Sequence, residues 1–193
     1  PLSREMMPTN YLRSGLLQGL KYESSLGINP FKFGFVGGTD VHNSLSSIEE
    51  NNFFGKMPVQ EPGKNRWNHA SKQGFGKTRY TYHYTAAVYA AVWATENTRE
   101  AVFDAMKRKE TYATTGARMT VRFFGGWDFT AQDTATRLPA SIGYAKGVPM
   151  GGDLRRAPSG KSPSFLLAAM KDPYSGNLDR IQVVKGWMDK AGK

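Results

Sequence analysis

The sequence contains no cysteine, and this absence excludes disulfide bonds and thiolate metal ligands. Any bound metal must be held by oxygen and imidazole donors, which suit Zn, Mn, Fe or Mg better than soft metals. Histidine is scarce as well, because the chain has only three, His42, His69 and His83. A catalytic metal centre needs at least three protein ligands, so the supply of ligands is the central question of this sequence.

Long apolar runs are also missing. The longest, residues 86–94, is far shorter than the ~20 residues that cross a bilayer, so we predict no membrane span. Lys and Arg residues are numerous and give a net charge of +10, but they are scattered along the chain. No basic run is interleaved with aromatic residues as in grooves that bind single-stranded nucleic acid. We interpret the charge as a solvated basic surface and do not expect nucleic-acid binding.

The ends of the sequence resemble those of a fragment. The chain has no initiator Met and stops just after a strongly patterned segment. No apolar leader of the secretory type opens it. We therefore expect a piece of a longer protein, and the compartment stays open between cytoplasm, periplasm and secretion.

The first part of the chain begins with a helical pattern. Residues 8–27 predict an amphipathic helix, because Leu12, Leu16 and Leu20 fall on one stripe and Gly27 is suited to its end. A short loop then leads into an apolar run that predicts a strand.

The same alternation of elements continues further along the chain. A capping pattern predicts a helix over residues 97–109, and β-prone residues predict a strand over 111–115. Residues 43–80 are polar and glycine-rich and predict a long loop, which could overhang a site. Helices and strands in this order indicate an α/β domain over residues 1–118.

Beyond residue 118 the pattern changes. Residues 119–124, 165–170 and 181–188 are strand-like and are separated by turns rich in Gly, Pro and Asp. No helical periodicity lies between them. We therefore predict that residues 119–193 form an all-β, sandwich-like domain that is truncated.

The most specific local signal follows the first predicted strand. The apolar run breaks at Gly37 and Gly38, and Asp40 and His42 then stand two positions apart. Side chains at i and i+2 of a strand share a face, so a carboxylate and an imidazole could hold one metal site. The alternative interpretation is a turn or helix cap at Thr39 and Asp40, with His42 packed beside it.

Seven phrases of the sequence carry a resemblance to a known family. They are residues 29–34 (NPFKFG), 38–43 (GTDVHN), 96–101 (ENTREA), 112–116 (YATTG), 122–127 (RFFGGW), 149–154 (PMGGDL) and 178–187 (LDRIQVVKGW). Together they resemble the C-terminal part of the bacterial family catalogued as domain of unknown function 3604. That family in turn resembles the polymerase-and-histidinol-phosphatase (PHP) superfamily of metal hydrolases, and most of all its carbaryl-hydrolase-like members.

The resemblance implies a fold and a metal centre. Residues 1–118 would be the C-terminal segment of a PHP-type distorted β/α barrel, followed by an incomplete immunoglobulin-like β-sandwich. Asp40 and His42 match the last metal motif, Gly-[Ser/Thr]-Asp-x-His, and would be ligands to different ions in a cluster of two or three divalent ions (Zn, Mn or Fe). The superfamily's early His-x-His motif is missing from this sequence. The cluster would therefore be completed by the N-terminal part of the same protein, outside this chain.

The resemblance also implies an activity. The parent protein would hydrolyse a phosphoester, ester or carbamate bond of a small-molecule or anionic substrate with metal-activated water. This chain alone would be inactive. The rival interpretation is a non-catalytic β-sandwich module that binds a carbohydrate, an anionic polymer or another domain.

Two further residues are candidates for binding the substrate. Arg118 follows a candidate barrel strand and could hold a phosphate or carboxylate in a bidentate manner, or form a salt bridge between domains. His83 stands among tyrosines and could approach the substrate, or be a stacked structural histidine. Gly151 and Gly152 predict a tight turn rather than a calcium site, and Trp127, Trp187 and the pair at 123–124 are predicted to be sandwich core.

Overall fold

A computed structural model of the chain describes residues 3–42, 44, 63–72, 78–83 and 88–189. The chain divides into two compact units, one made of residues 1–33 and 178–193 and the other of residues 34–177. Both contain helices or strands that the sequence predicts, and each is described below by itself.

The first unit is built around the predicted N-terminal helix. A 3-10 helix, Arg4–Thr9, precedes α1, which spans Leu12–Leu26. The helix ends as predicted at Gly27, whose φ of 74° is left-handed and whose N–H donates to the carbonyl of Glu23. Glycine adopts this conformation without the steric cost that a Cβ would bring.

The end of the chain contributes the rest of this unit and corrects one prediction. Residues 181–188 form no strand, because the part of the chain that the structure describes offers them no partner strand. Their alternating apolar side chains, including Ile181 and Val183, are more than half exposed. Trp187, predicted to be core, is 64% exposed. Gly186 instead lies against the side chain of Leu17 in α1.

The second unit begins with a short antiparallel pair inside the range predicted as a loop. Strand β1, Ala70–Lys72, pairs with β2, Thr78–Tyr80, and a 3-10 helix, Arg66–Asn68, precedes them. Much of the predicted loop, including residues 45–62, lies outside the described residues.

Strands β3, Val88–Val92, and β4, Thr111–Thr115, form the next sheet, with helix α2, Arg99–Lys107, between them in sequence. The helix and β4 are confirmed predictions, and Thr98 caps the helix by accepting from the N–H of Ala101 at 3.2 Å. The two strands are antiparallel. No closed barrel exists among the described residues, and β/α barrels are built from parallel strands.

Three antiparallel strands form the remaining sheet. Strand β5, Thr120–Gly126, lies between β6, Gly147–Pro149, and β7, Ser164–Met170. Phe124 of β5 is only 1% exposed and stands at the centre of this core. The predicted strands near residues 119–124 and 165–170 are thus confirmed.

The prediction that this region is all-β is wrong. Helix α3, Pro139–Lys146, packs on the sheet, with Gly143 directly against the ring of Phe124. A 3-10 helix, Ala131–Ala135, precedes it and is fixed by a capping box. Helix α3 has no strong apolar stripe to reveal it in the sequence, and only its Pro near the N-terminus signals a start. The described fold is a mixture of helices and small antiparallel sheets.

The predicted tight turn is confirmed. Gly152 donates from its N–H to the carbonyl of Pro149 at 3.0 Å, and Gly151 has φ of 81°, which together define a tight turn with glycine at its left-handed position. No described helix is long and apolar enough to cross a membrane.

Candidate functional site

The segment that leads to the Asp-x-His pair is extended but belongs to no strand. Residues 34–41 pair with no other described strand, so the prediction of a strand in this segment is wrong. Instead the backbone lies directly on the β3–β4 sheet, because a Cβ on Gly37 would overlap Cγ1 of Val88 and crowd Cβ of Ala113. The glycine that breaks the apolar run is therefore needed for close backbone approach.

The structure brings the two predicted metal ligands together. Oδ1 of Asp40 lies 3.3 Å from Nε2 of His42, and the two side chains are 69% and 52% exposed respectively. Asp40 has φ of 55°, so a turn, and not the alternation of a strand, places both donors on one side. The N–H of Val41 donates to Oγ1 of Thr39 at 3.4 Å within the same turn. Asp is among the few residues that tolerate this backbone conformation.

Two donors do not make a complete metal site. Among the described ranges, no group of three or more His, Asp or Glu side chains is placed to hold an ion. The pair is open to solvent, and residues 45–62, which follow it closely in sequence, lie outside those ranges. Asp40 and His42 therefore remain a predicted half-site whose donors converge.

Arg118 lies beyond the end of β4. Its main-chain N–H donates to Oδ2 of Asp172 at 2.7 Å, and its guanidinium lies 5.4 Å from the ring centre of Tyr89. Hydrogen bonds from the N–H groups of Arg118 and Tyr174 lower the pKa of Asp172. These contacts anchor the turn after β4 beside the end of β7, and a role in substrate binding stays a prediction.

His83 lies in a short 3-10 helix, Thr81–His83. Its Nδ1 accepts the N–H of Tyr80 at 3.1 Å, and its ring centre lies 4.3 Å from that of Tyr82. The two rings are tilted by 52° rather than stacked, and these local contacts are typical of a structural histidine, the alternative that the sequence left open. Its approach to a substrate stays a prediction.

A second polar site, which the sequence did not single out, lies between β3–β4 and the three-stranded sheet. We call it the Glu110 cluster and define it by residues Trp93, Arg108, Glu110, Arg122 and Tyr144. Its members line a cavity of about 390 Å³. The residues come from four separate stretches of chain, so no local motif announces them.

The carboxylate of Glu110 is the centre of this cluster. Glu110 is only 3% exposed, and it accepts from Nε of Arg108 at 3.0 Å and from the hydroxyl of Tyr144 at 2.5 Å. A buried carboxylate requires such partners, since an unpaired buried charge is strongly destabilising. Burial, followed by the hydrogen bond to Glu110, raises the pKa of Tyr144.

The end of α2 places Glu110 at the cavity. The N–H of Glu110 donates to the carbonyl of Ala105 and that of Lys109 to Met106, while Lys109 adopts φ of 65°. These bonds form a Schellman motif, in which a left-handed residue stops the helix and turns the chain. Glu110, the residue after the left-handed position, therefore turns inward to line the cavity.

Arg122 is held on the other side of the cavity. Its guanidinium carbon lies 3.3 Å from the ring centre of Trp93, and Nη1 donates to the hydroxyl of Tyr144 at 3.1 Å. Trp93 is itself fixed, because Nε1 donates to the carbonyl of Val121 at 2.9 Å. The one sequence signal for this arrangement is an arginine inside the otherwise apolar strand β5.

Comparison with known proteins identifies one relationship. The sequence model of a family described as "Protein of unknown function (DUF3604)" matches residues 2–193. No curated protein and no solved structure matches the chain.

Proposed function

We propose that this chain, which belongs to the DUF3604 family, forms part of a metal-dependent hydrolase resembling the PHP superfamily. The chain would supply the last metal motif of the centre through Asp40 and His42. The other ligands would come from the N-terminal part of the same protein, outside this chain. The family's own description names no function and therefore gives the proposal no support. The support comes from the two donor residues.

The observation that carries the proposal is the separation of the two donor atoms. Oδ1 of Asp40 and Nε2 of His42 are 3.3 Å apart. Two ligands on one tetrahedral Zn ion, each about 2.1 Å from the metal, are about 3.4 Å apart. The pair forms a direct carboxylate–imidazole contact, and the same spacing suits donors that share one ion, whereas the resemblance implies neighbouring ions. An oxygen with an imidazole suits Zn, Mn or Fe.

A divalent ion bound there would lower the pKa of a coordinated water and polarise the bond to be cleaved. The chain's own part is to present one carboxylate oxygen and one imidazole nitrogen from a fixed turn. Gly37 supports that role, because its contact with the β3–β4 sheet holds the segment that carries both ligands. Phosphoesters, esters and carbamates are the proposed substrates, with Arg118 as a candidate group for an anionic part.

The finer fold is also part of the proposal. The barrel of a PHP-type enzyme would need strands in addition to those described here. A strand, helix and strand (β3, α2, β4) precede a mostly β region, in the expected order, but β3 and β4 are antiparallel and differ in this from the parallel strands of such a barrel. Helix α3 distinguishes that region from a plain immunoglobulin-like sandwich.

Metal analysis of the full-length protein tests the proposal. We expect Asp40→Asn and His42→Gln each to lower the bound Zn or Mn per molecule and to abolish hydrolysis of p-nitrophenyl phosphate or p-nitrophenyl acetate, whichever the unchanged protein cleaves. His83→Gln is the matched control for metal content, because it removes an imidazole that is not among the proposed ligands and whose Nδ1 already accepts the N–H of Tyr80. Unchanged metal content in both ligand variants would refute the assignment.

A further inference from the structure

We propose that the cavity of the Glu110 cluster binds a small organic anion, with a carboxylate or phosphate group on the two arginines and an apolar body beside Trp93. This inference is independent of the proposed hydrolase. Neither Asp40 nor His42 lines the cavity.

The charge of the cluster favours one negative group. Arg108 and Arg122 bring two positive charges, and Glu110 brings one negative charge. The cavity walls therefore carry an excess of one positive charge, which a monoanionic group would neutralise. Glu110 is buried, but the side chain of Arg108 is 47% exposed, so solvent screens part of this excess.

The arginines have donors to offer such a group. The contacts within the cluster use one N–H of each, Nε of Arg108 on Glu110 and Nη1 of Arg122 on Tyr144. A guanidinium carries five N–H groups in a planar fork, which binds carboxylates and phosphates in a bidentate manner. Further N–H groups of both arginines thus remain within a space that a ligand can enter.

The cluster is organised before any ligand arrives. Arg122 is stacked on Trp93 and held by Tyr144, and Trp93 is held by the carbonyl of Val121. A side chain fixed in this way loses less conformational entropy on binding. A purely structural role would require only that Glu110 be satisfied, and Arg108 and Tyr144 already do this. A purely structural role therefore does not explain why an open cavity lies beside a second arginine.

The size and lining of the cavity limit the ligand. A volume of about 390 Å³ falls in the lower part of the range of small-molecule sites, about 300–1,000 Å³. Ala94 and the indole of Trp93 provide an apolar wall. An anion with a compact apolar body, such as benzoate, has the corresponding chemistry, and phenyl phosphate presents the same body with nearly twice the negative charge at neutral pH.

Calorimetric titration and Trp fluorescence of the whole chain test the proposal, with four probes. Benzoate and phenyl phosphate should bind saturably. The ratio of their dissociation constants shows whether the site prefers carboxylate or phosphate. Inorganic phosphate tests the charged group without an apolar body and should bind more weakly. Benzamide has the shape of benzoate without its charge and should not bind, so equal affinity for benzamide would overturn the proposal, as would failure of both organic anions.

Three variants separate binding from folding. Arg108→Gln should weaken binding about tenfold, the loss expected for a charge-assisted contact, whereas Lys107→Gln changes the same charge one position away outside the cavity and should have less than a twofold effect. Glu110→Gln should instead tighten anion binding several-fold, because it removes the negative charge from the wall. Equal losses in Arg108→Gln and Lys107→Gln, or no change in Glu110→Gln with folding retained by circular dichroism, would contradict the inference.

Discussion

The hydroxyl of Tyr144 donates a hydrogen bond of 2.5 Å to Oε1 of Glu110. This bond joins helix α3, which the sequence did not predict, to the residue that precedes β4. The same hydroxyl accepts from Nη1 of Arg122, and the ring of Tyr144 meets that of Phe124 edge to face, with centres 5.1 Å apart. One side chain thus connects the buried carboxylate, strand β5 and the core.

Replacing this tyrosine should destabilise the protein. Tyr144→Phe keeps the ring contact with Phe124 but removes the donor to Glu110, and we expect a loss of about 1 kcal/mol in the free energy of unfolding, measured with urea. Tyr174→Phe is the matched control, because Tyr174 is 98% exposed. Equal stability of the two variants would show that the Tyr144 bond contributes nothing.

The capping box before α3 predicts a dependence of stability on pH. A hydrogen bond from Lys146, then one from the N–H of Thr130, lowers the pKa of Asp133. Because the folded pKa lies below that of an unfolded aspartate, about 3.9, the stabilisation is present above that pH and is lost as pH falls through the folded value.

Urea unfolding at pH 7 and at pH 3 checks this sign. Asp133→Asn should be less stable than the unchanged protein at pH 7, and the difference should shrink at pH 3. Asp179→Asn, at an exposed aspartate, should leave the free energy of unfolding nearly unchanged at both pH values. A gap that stays constant or widens on acidification would be inconsistent with the lowered pKa.

The contact between Gly37 and the β3–β4 sheet predicts a position-specific cost. Gly37→Ala should destabilise the protein by about 1–3 kcal/mol, because the added methyl group overlaps Val88 and approaches the carbonyl of Tyr89. The neighbouring Gly38→Ala meets nothing within 4 Å and should be nearly neutral. Thermal unfolding of the two variants provides the comparison, and similar melting temperatures would contradict the close packing of residues 34–41.

Two helical glycines should respond to the same substitution with opposite signs. Gly15→Ala in α1 meets nothing within 4 Å and should stabilise by up to about 1 kcal/mol, since alanine has the higher helix propensity. Gly143→Ala in α3 places a methyl group into the ring of Phe124 and should destabilise by about 1–3 kcal/mol. Chemical denaturation measures both, and a gain at position 143 would argue against the described packing of α3.

Local elements could be predicted from the sequence where local chemistry determines them. The left-handed Gly27 ends α1, the β-prone run Thr111–Thr115 forms β4, and glycines at 151 and 152 form a tight turn. Each depends on backbone preferences of a few adjacent residues. The convergence of Asp40 and His42 was anticipated too, although a turn at Asp40 brings it about instead of a strand.

Features that depend on distant neighbours could not be predicted. Residues 181–188 have the alternation of a strand but lack a partner in the described structure, and α3 is stabilised by its contact with Phe124 rather than by its own pattern. The Glu110 cluster is the clearest case, because its residues lie up to 51 positions apart, from Trp93 to Tyr144. Only tertiary packing makes them one site.

Strand β5 gives the cavity one more property. Arg122 and Phe124 are two positions apart, so the pleat sends both toward Tyr144, one to its hydroxyl and the other to its ring. A slip of one residue between β5 and β7 would turn both away at once. If the cavity binds an anion as proposed, only molecules with the correct β5–β7 register would bind it. The stoichiometry of binding would then measure the fraction of a preparation that has folded in register.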